Sequence, residues 1–333
     1  MADPALRLET NDSAGTGLAV QDHAQAQRGG DARRLETTPE KEAMTLTTAQ
    51  AFAKFLEDIT ATENQKSSFI PARKNSVDKD MKAAFPSTSD IPYSKGILMG
   101  SASKNTIIRP LDDIDVLAVF SNEKRAWQDK YWNDSQAFIY RIRQAYAGTK
   151  IQQVGTRGQA IRVFYKTGGH VDVAPVFYKG NDVYHLPDGT GGWLLTAPTI
   201  ANVWYADKNR ALNYHLSAVV RLAKAWNRAH SKRFRSFHLE TVAASTFSSL
   251  GSNYRDALQK FFEWAPNRLY VNDPGGYSGD LSSYLTSEGR QNLIDALNAA
   301  ADRAWKANEA EARGDHAEAK RLWRIILGTG FPS

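Results

Sequence analysis

Apolar side chains recur at three- and four-residue spacing from residue 46 to about residue 62, where Phe52, Phe55, Leu56 and Ile59 mark one face of a helix. A second helical stretch runs to Phe85, with Pro71 placed to kink or break it. The period then shortens. Short apolar runs at 96–100, 114–120, 151–154, 161–166 and 171–177 read as strands, with a helix over about 127–146 between them. Gly168-Gly169 separates the last two runs as a tight hairpin turn. Residues 181–199 (NDVYHLPDGTGGWLLTAPT) read as a glycine-rich loop, and beyond them the helical period returns to the end. In LNYHLSAVVRLAKAWNR, Leu212, Leu216, Val219, Val220, Ala223 and Trp226 define one apolar face. Helices over about 292–312 and 317–327 close the chain, with Gly314 and Gly328 as stops. The pattern predicts a mixed α/β half followed by a helical half, and it contains no internal repeat.

Composition changes this picture at one end. Residues 1–43 contain no Phe, Trp or Tyr and cannot bury enough apolar surface to offset their ordering entropy. They read as a disordered leader or tag. The folded chain is expected to divide into a catalytic domain over 44–200 and a helical, nucleotide-binding domain over 201–333. The leader holds five Lys/Arg against eight Asp/Glu, so the overall charge of +6 becomes +9 for the remainder. That balance suits phosphate-bearing ligands without choosing between nucleotides and nucleic acid. The absence of cysteine excludes disulfides and thiolate-ligated zinc. The longest apolar runs are strand-length and no secretory pattern opens the chain, so a cytoplasmic protein without membrane spans is expected.

The chemistry gathers in GILMGSASKNTIIRPLDDIDVLAVF, residues 96–120, where Gly100-Ser101 ends one apolar run and Asp113 and Asp115 open the next. On a strand, residues two apart point the same way, so these carboxylates share a face. Like charges that close repel, and burying them is costly. A divalent cation removes both penalties, and hard oxygen ligands suit Mg²⁺, with Mn²⁺ as a substitute. HVDVAPVF sets Asp172 in the same kind of run. Three carboxylates on neighbouring strands could hold two ions and clamp an in-line phosphoryl displacement, with Asp172 near the incoming hydroxyl as base. Gly100 would let backbone approach a phosphate, and Ser101 could cap a following short helix. Lys104 and Arg109 lie close enough in sequence to touch phosphate. A lone Gly-Ser or a lone D-x-D is commonly an ordinary turn or a solvated strand edge. The combination, with eleven residues between Ser101 and Asp113 and a third strand-borne Asp, points to chemistry.

Those motifs resemble the DNA polymerase β-like nucleotidyltransferase superfamily. Within it, RPLDDIDV, GGWLLTAP, RLAKAWNRAHSKRFRSFHLE and the ending LWRIILGTGFPS are similar to the bacterial CD-NTases, the cGAS/DncV-like enzymes that make nucleotide second messengers. The resemblance covers roughly residues 46–332. It implies an α+β fold: a palm with a mixed sheet and helices, and an α-helical C-terminal domain facing it with nucleotides between. It also implies that Asp113, Asp115 and Asp172 bind two Mg²⁺ ions, that Lys224 contacts the donor triphosphate, and that Ser236 follows it in the site. Arg221, Lys224 and Arg228 form a stripe at i, i+3 and i+7, which alone would equally suit a solvated helix face.

The implied activity is condensation of nucleoside triphosphates into a cyclic or short linear oligonucleotide that a downstream effector reads, in antiphage defence. An alternative keeps the chemistry and changes the acceptor to a tRNA, a protein or a small molecule. A further alternative is a non-catalytic antitoxin or adaptor. Without cysteines there is no zinc thumb of the animal type, which argues against direct activation by double-stranded DNA. His170, His185, His215, His230 and His238 lack metal-ligand spacing and read as surface or core. Tyr184, Tyr205 and Tyr254 read as packing residues that could alternatively stack on a base, and Trp305 and Trp323 as core.

Overall fold

The computed structural model describes residues 46–333 apart from residues 112, 147 and 149; the aromatic-free 1–43 segment lies outside the described residues. Helix α1 (Thr48–Ile59) starts at a capping box, Thr47 accepting from the Gln50 amide while the Gln50 side chain accepts from the Thr47 amide. Helix α2 (Ile70–Ala84) follows a π-helical turn over Gln65–Phe69 and carries Pro71 in its first turn. Pro71 therefore begins a helix, where its missing N–H is tolerated.

Strand β1 (Tyr93–Leu98) leads through the four-residue helix α3 (Gly100–Ser103) to β2 (Ile114–Phe120). Helix α4 (Ser135–Gln144) precedes β3 (Ile151–Arg157), β4 (Ala160–Tyr165) and the long β5 (His170–Gly180). The β4–β5 turn carries Gly168 and Gly169 at φ +85 and +72, left-handed positions that glycine fills without strain.

Residues 181–199, expected as a loop, instead form a hairpin of β6 (Val183–Pro187) and β7 (Trp193–Thr196). Its tip is tied by Asp188, whose carboxylate accepts from the Thr190 and Gly192 amides, and the Trp193 indole donates to the Tyr131 carbonyl. The glycines occupy the turn alone, while VYHLP and WLLT pair as strands.

The seven strands form one sheet in the order β1-β2-β5-β4-β3, with β6 and β7 continuing from β5. Every pairing is antiparallel except β2–β5, which is parallel. The two-residue period divides both central strands. Ile114, Val116, Ala118 and Phe120 of β2, with Val171, Val173 and Phe177 of β5, face a core closed by α2 and α4. Leu117, Val119 and Val176 face a smaller cluster on the other side. Asp115 and Asp172 belong to that second side.

The second half is helical: α5 (Pro198–Ala211), α6 (Leu216–Ala229), α7 (Ser236–Thr246), α8 (Tyr254–Trp264), α9 (Ser287–Ala312) and α10 (His316–Leu327). They build their own core around Trp226 and Trp323, and α1 contributes Ala51, Phe52 and Phe55 to it. Helix α1, which the sequence groups with the catalytic half, thus buries its apolar face among the C-terminal helices. Trp323 is fully buried, but Trp305, expected in the core, is 50% exposed on α9. Among the described residues no helix is long and apolar enough to cross a membrane.

Candidate active site

The parallel register sets Asp115 directly beside Asp172. Asp113 lies one residue before β2, on the same side as Asp115 by alternation. Gly100 explains how a short helix fits over these carboxylates. Its φ is +61, and a Cβ built there would fall on the Asp115 carboxylate, so only glycine fits. The Met99 amide donates to the Asp115 carbonyl at 2.8 Å and fixes the approach. Ser101 does not cap α3. The capping position is Met99, without a side-chain hydrogen bond, and Ser101 uses its carbonyl to accept from the Thr106 and Ile107 amides.

Burial, then the neighbouring charges of Asp113 and Asp172, push Asp115 up to about 7. Asp172 is relieved differently: Arg162, its cross-strand partner on β4, donates to both carboxylate oxygens at 2.7 and 2.6 Å. His170, read above as a surface or core residue, joins this cluster. Ligand atoms of Asp113, His170 and Asp172 all lie within 4.8 Å of one another. His170 precedes Asp172 by two residues on one strand, so the same alternation that pairs Asp113 with Asp115 would have found it. A hard divalent cation fits this donor set, because it would neutralise carboxylates that are crowded and partly buried.

Two cavities meet at the aspartates. One, of about 470 Å³, is bordered by Gly100, Asp115 and Asp172 and walled by Leu117, Leu186, Leu194, Pro198, Ala201 and Phe237. Its polar groups include Gln159, Asn202 and Ser278. The other, of about 600 Å³, touches Ser101, Asp113 and His170 and is lined by six cations: Arg157, Arg162, Lys224, Arg228, Lys232 and Arg235. Ser236 lies at the start of α7 on the same wall.

Gly100, Ser101, Lys224, Ser236 and the three aspartates therefore converge. The Arg221–Lys224–Arg228 stripe is neither a solvated face nor wholly a phosphate surface. Arg221 donates to the Asn105 carbonyl and Arg228 to the Arg109 carbonyl, both at 2.7 Å, so the stripe docks α6 onto the 105–110 loop. Lys224 is buried and paired with Glu240 at 2.5 Å. Burial alone would raise Glu240, but the charges of Lys224 and Lys104 outweigh it and hold the carboxyl well below its ordinary range. Lys104 reaches the site through that pair. Arg109 stands apart, donating to the Glu57 carbonyl at 2.7 Å and lining cavities beside α1. Tyr184 and Tyr205 are buried in packing, and Tyr254 bonds His215 at 2.9 Å.

Comparison with known proteins agrees with this fold. The profile of the Second Messenger Oligonucleotide or Dinucleotide Synthetase domain matches residues 44–209. The cyclic AMP-AMP-AMP synthase of Escherichia coli (strain MS 115-1) is 27% identical over 329 residues, covering 85% of this chain and 97% of that protein. A probable cyclic nucleotide synthase of Bacillus cereus is 27% identical over 269 residues, covering 70% of this chain and 81% of the relative. The structure of Escherichia coli MS115-1 CdnC with ATP superposes with a TM-score of 0.71 at 23% identity, over 86% of this chain and 99% of that one.

Proposed function

This chain belongs to the CD-NTase family and carries its polymerase β-like nucleotidyltransferase fold, and from that premise we propose that it condenses nucleoside triphosphates into a cyclic or short linear oligonucleotide second messenger. One observation carries the reading: the aspartate cluster joins two cavities, with Asp115 and Asp172 bordering the apolar-walled one and Asp113 the cation-lined basin, room for two nucleotides. The basin suits a triphosphate, through Lys224, Arg235 and the α7 terminus at Ser236. The apolar-walled cavity suits a base and sugar.

In the reaction, a 2′- or 3′-hydroxyl of one nucleotide attacks the α-phosphorus of the other. The new O–P bond forms as the bond to the β-phosphate oxygen breaks, pyrophosphate leaves, and Asp172 takes the hydroxyl proton. Asp113, Asp115 and Asp172, with His170 adjacent, would hold Mg²⁺ or Mn²⁺, which neutralises charge on the transferring phosphoryl group when bound. The linear intermediate retains a 5′-triphosphate and can turn round as donor to close a ring. The product acts on a downstream effector, in cytoplasmic antiphage signalling of the CBASS type.

Incubating the purified protein with all four NTPs and Mg²⁺ or Mn²⁺ tests this. The expected result is pyrophosphate release and a small labelled product, resistant to phosphatase if cyclic, whose mass gives its bases. Labelling of an added tRNA or protein, with no oligonucleotide formed, would overturn it.

A further inference from the structure

Glu240, in the second turn of α7, is 1% exposed, and both its carboxylate oxygens are occupied. Oε2 accepts from Lys104 at 2.8 Å; Oε1 accepts from Lys224 at 2.5 Å and from the Thr106 hydroxyl at 2.6 Å. Lys104 and Thr106 belong to the turn that follows Gly100-Ser101, whereas Lys224 comes from α6. One buried carboxylate therefore ties the turn over the aspartates to the helical half.

The charge count is what makes this more than a brace. Two ammonium groups against one carboxylate leave a net positive charge. Lys104 and Glu240 border the apolar-walled cavity, while Lys224 borders the basic basin. If Lys224 and Glu240 were alone, moving the lysine toward a phosphate would strand a buried carboxylate without a counter-charge, which is costly. Lys104 removes that obstacle. Its side chain is 6% exposed and its ammonium lies 4.8 Å from the Phe237 ring centroid, so it is held at Glu240 from a second side.

We propose that Glu240 is a positioning residue with Lys104 as its standing counter-ion, so that Lys224 waits at the edge of the basin and passes to an incoming triphosphate. The exchange breaks the Lys224–Glu240 contact and the longer bonds from Lys224 to the Thr106 hydroxyl and carbonyl, at 3.2 and 3.3 Å, and makes a Lys224–phosphate contact; no covalent bond changes. This rests on the reading of the basin as the triphosphate site.

The test is equilibrium binding, to the full chain with Mg²⁺, of whichever of the four NTPs the wild type binds most tightly, with melting temperature measured on every variant. Lys104→Met should weaken binding about tenfold, one decade of the constant, because Lys224 is then locked in a neutral pair. In a Glu240→Gln background the same Lys104→Met change should alter binding less than about twofold. Lys104→Arg, which keeps the cation, should bind like wild type, and this holds the proposal open to refutation even if Lys104→Met folds poorly. Equal losses from Lys104→Met in both backgrounds would make Lys104 a direct phosphate contact, and a lowered melting temperature with unchanged affinity would make it a structural brace; either overturns the coupling. Lys224→Met separates the two levels. If it leaves affinity unchanged, or if the wild type binds no NTP, the reading of the basin itself fails; if it weakens binding while the Lys104 coupling is absent, only the present proposal fails.

Discussion

The basic basin and the apolar-walled cavity share a border at Gly100-Ser101 and the aspartates, yet their linings are opposites. Six cations line the first, from β3, β4, α6 and the turn into α7. Apolar side chains and a few amides and hydroxyls wall most of the second, where Lys104 is the one cation among the described residues and stands beside Glu240. A triphosphate is recognised by charge, which acts at a distance and is weakened by salt. A base is recognised by contact area and a small number of placed hydrogen bonds, which salt barely touches. Putting both behind one pair of strands lets a single crowded carboxylate cluster serve two unlike guests.

The largest effect should come from the border itself. Asp115→Asn and Asp172→Asn should each cut turnover on the order of a hundredfold or more while leaving the fold intact. Turnover within tenfold of wild type in either variant would remove that residue from the chemistry. Asp115 should also leave a pH signature in stability. Its folded value near 7 exceeds an unfolded value of about 4, so between those pH values the folded protein keeps a proton that the unfolded chain has lost. Metal-free stability should therefore decline as pH rises through that window, by on the order of 4 kcal/mol at most. Asp115→Asn should remove that slope, and parallel melting-temperature curves for the two proteins would contradict it.

A smaller, sharper contrast tests the two linings. Arg235→Ala should raise the apparent KM for NTP by about tenfold, with a visibly weaker salt dependence than wild type. Ala201→Leu, which fills part of the apolar cavity, should lower turnover and leave the salt dependence unchanged. If both variants shift the salt dependence alike, the division between the cavities is wrong. The smallest effect is expected at Arg109, which lies beside α1 and bonds a carbonyl there. Arg109→Ala should leave KM within about twofold and cost about 1 kcal/mol of stability, read from chemical denaturation.

What the sequence displayed most clearly was local. Asp113, Asp115 and Asp172 stand out because a two-residue period with apolar neighbours is written into the chain, and the same rule would have exposed His170 had it been applied to HVDV as a whole. Arg162 could not be found this way, since its pairing with Asp172 depends on the register of two strands. The α6 stripe was visible as spacing but not as an interface; which surface covers it is decided by the 105–110 loop of the other half. Glu240 followed Lys224 by sixteen residues in a motif already recognised, yet nothing local says that its carboxylate would be buried between two lysines. Glycine content obscured the β6–β7 hairpin, where the turn needed glycines and the flanking strands did not.

Helix α1 gives the molecule a particular order of events during synthesis. Its Phe52 and Phe55 rings meet Phe331, at centroid distances of 5.1 and 5.3 Å, and Phe52 also meets Trp323 at 4.8 Å. Among the described helices α1 is the first to be made, yet its packing partners are Trp323 of α10 and Phe331 beyond it. The sheet half can collapse on α2 and α4 while translation continues, but the helical core stays open until α10 is made. Until then α1 presents its aromatic face to solvent, where a holding chaperone would find it, and a ribosome stalled before α10 would leave the sheet half assembled beside an unfinished helical half.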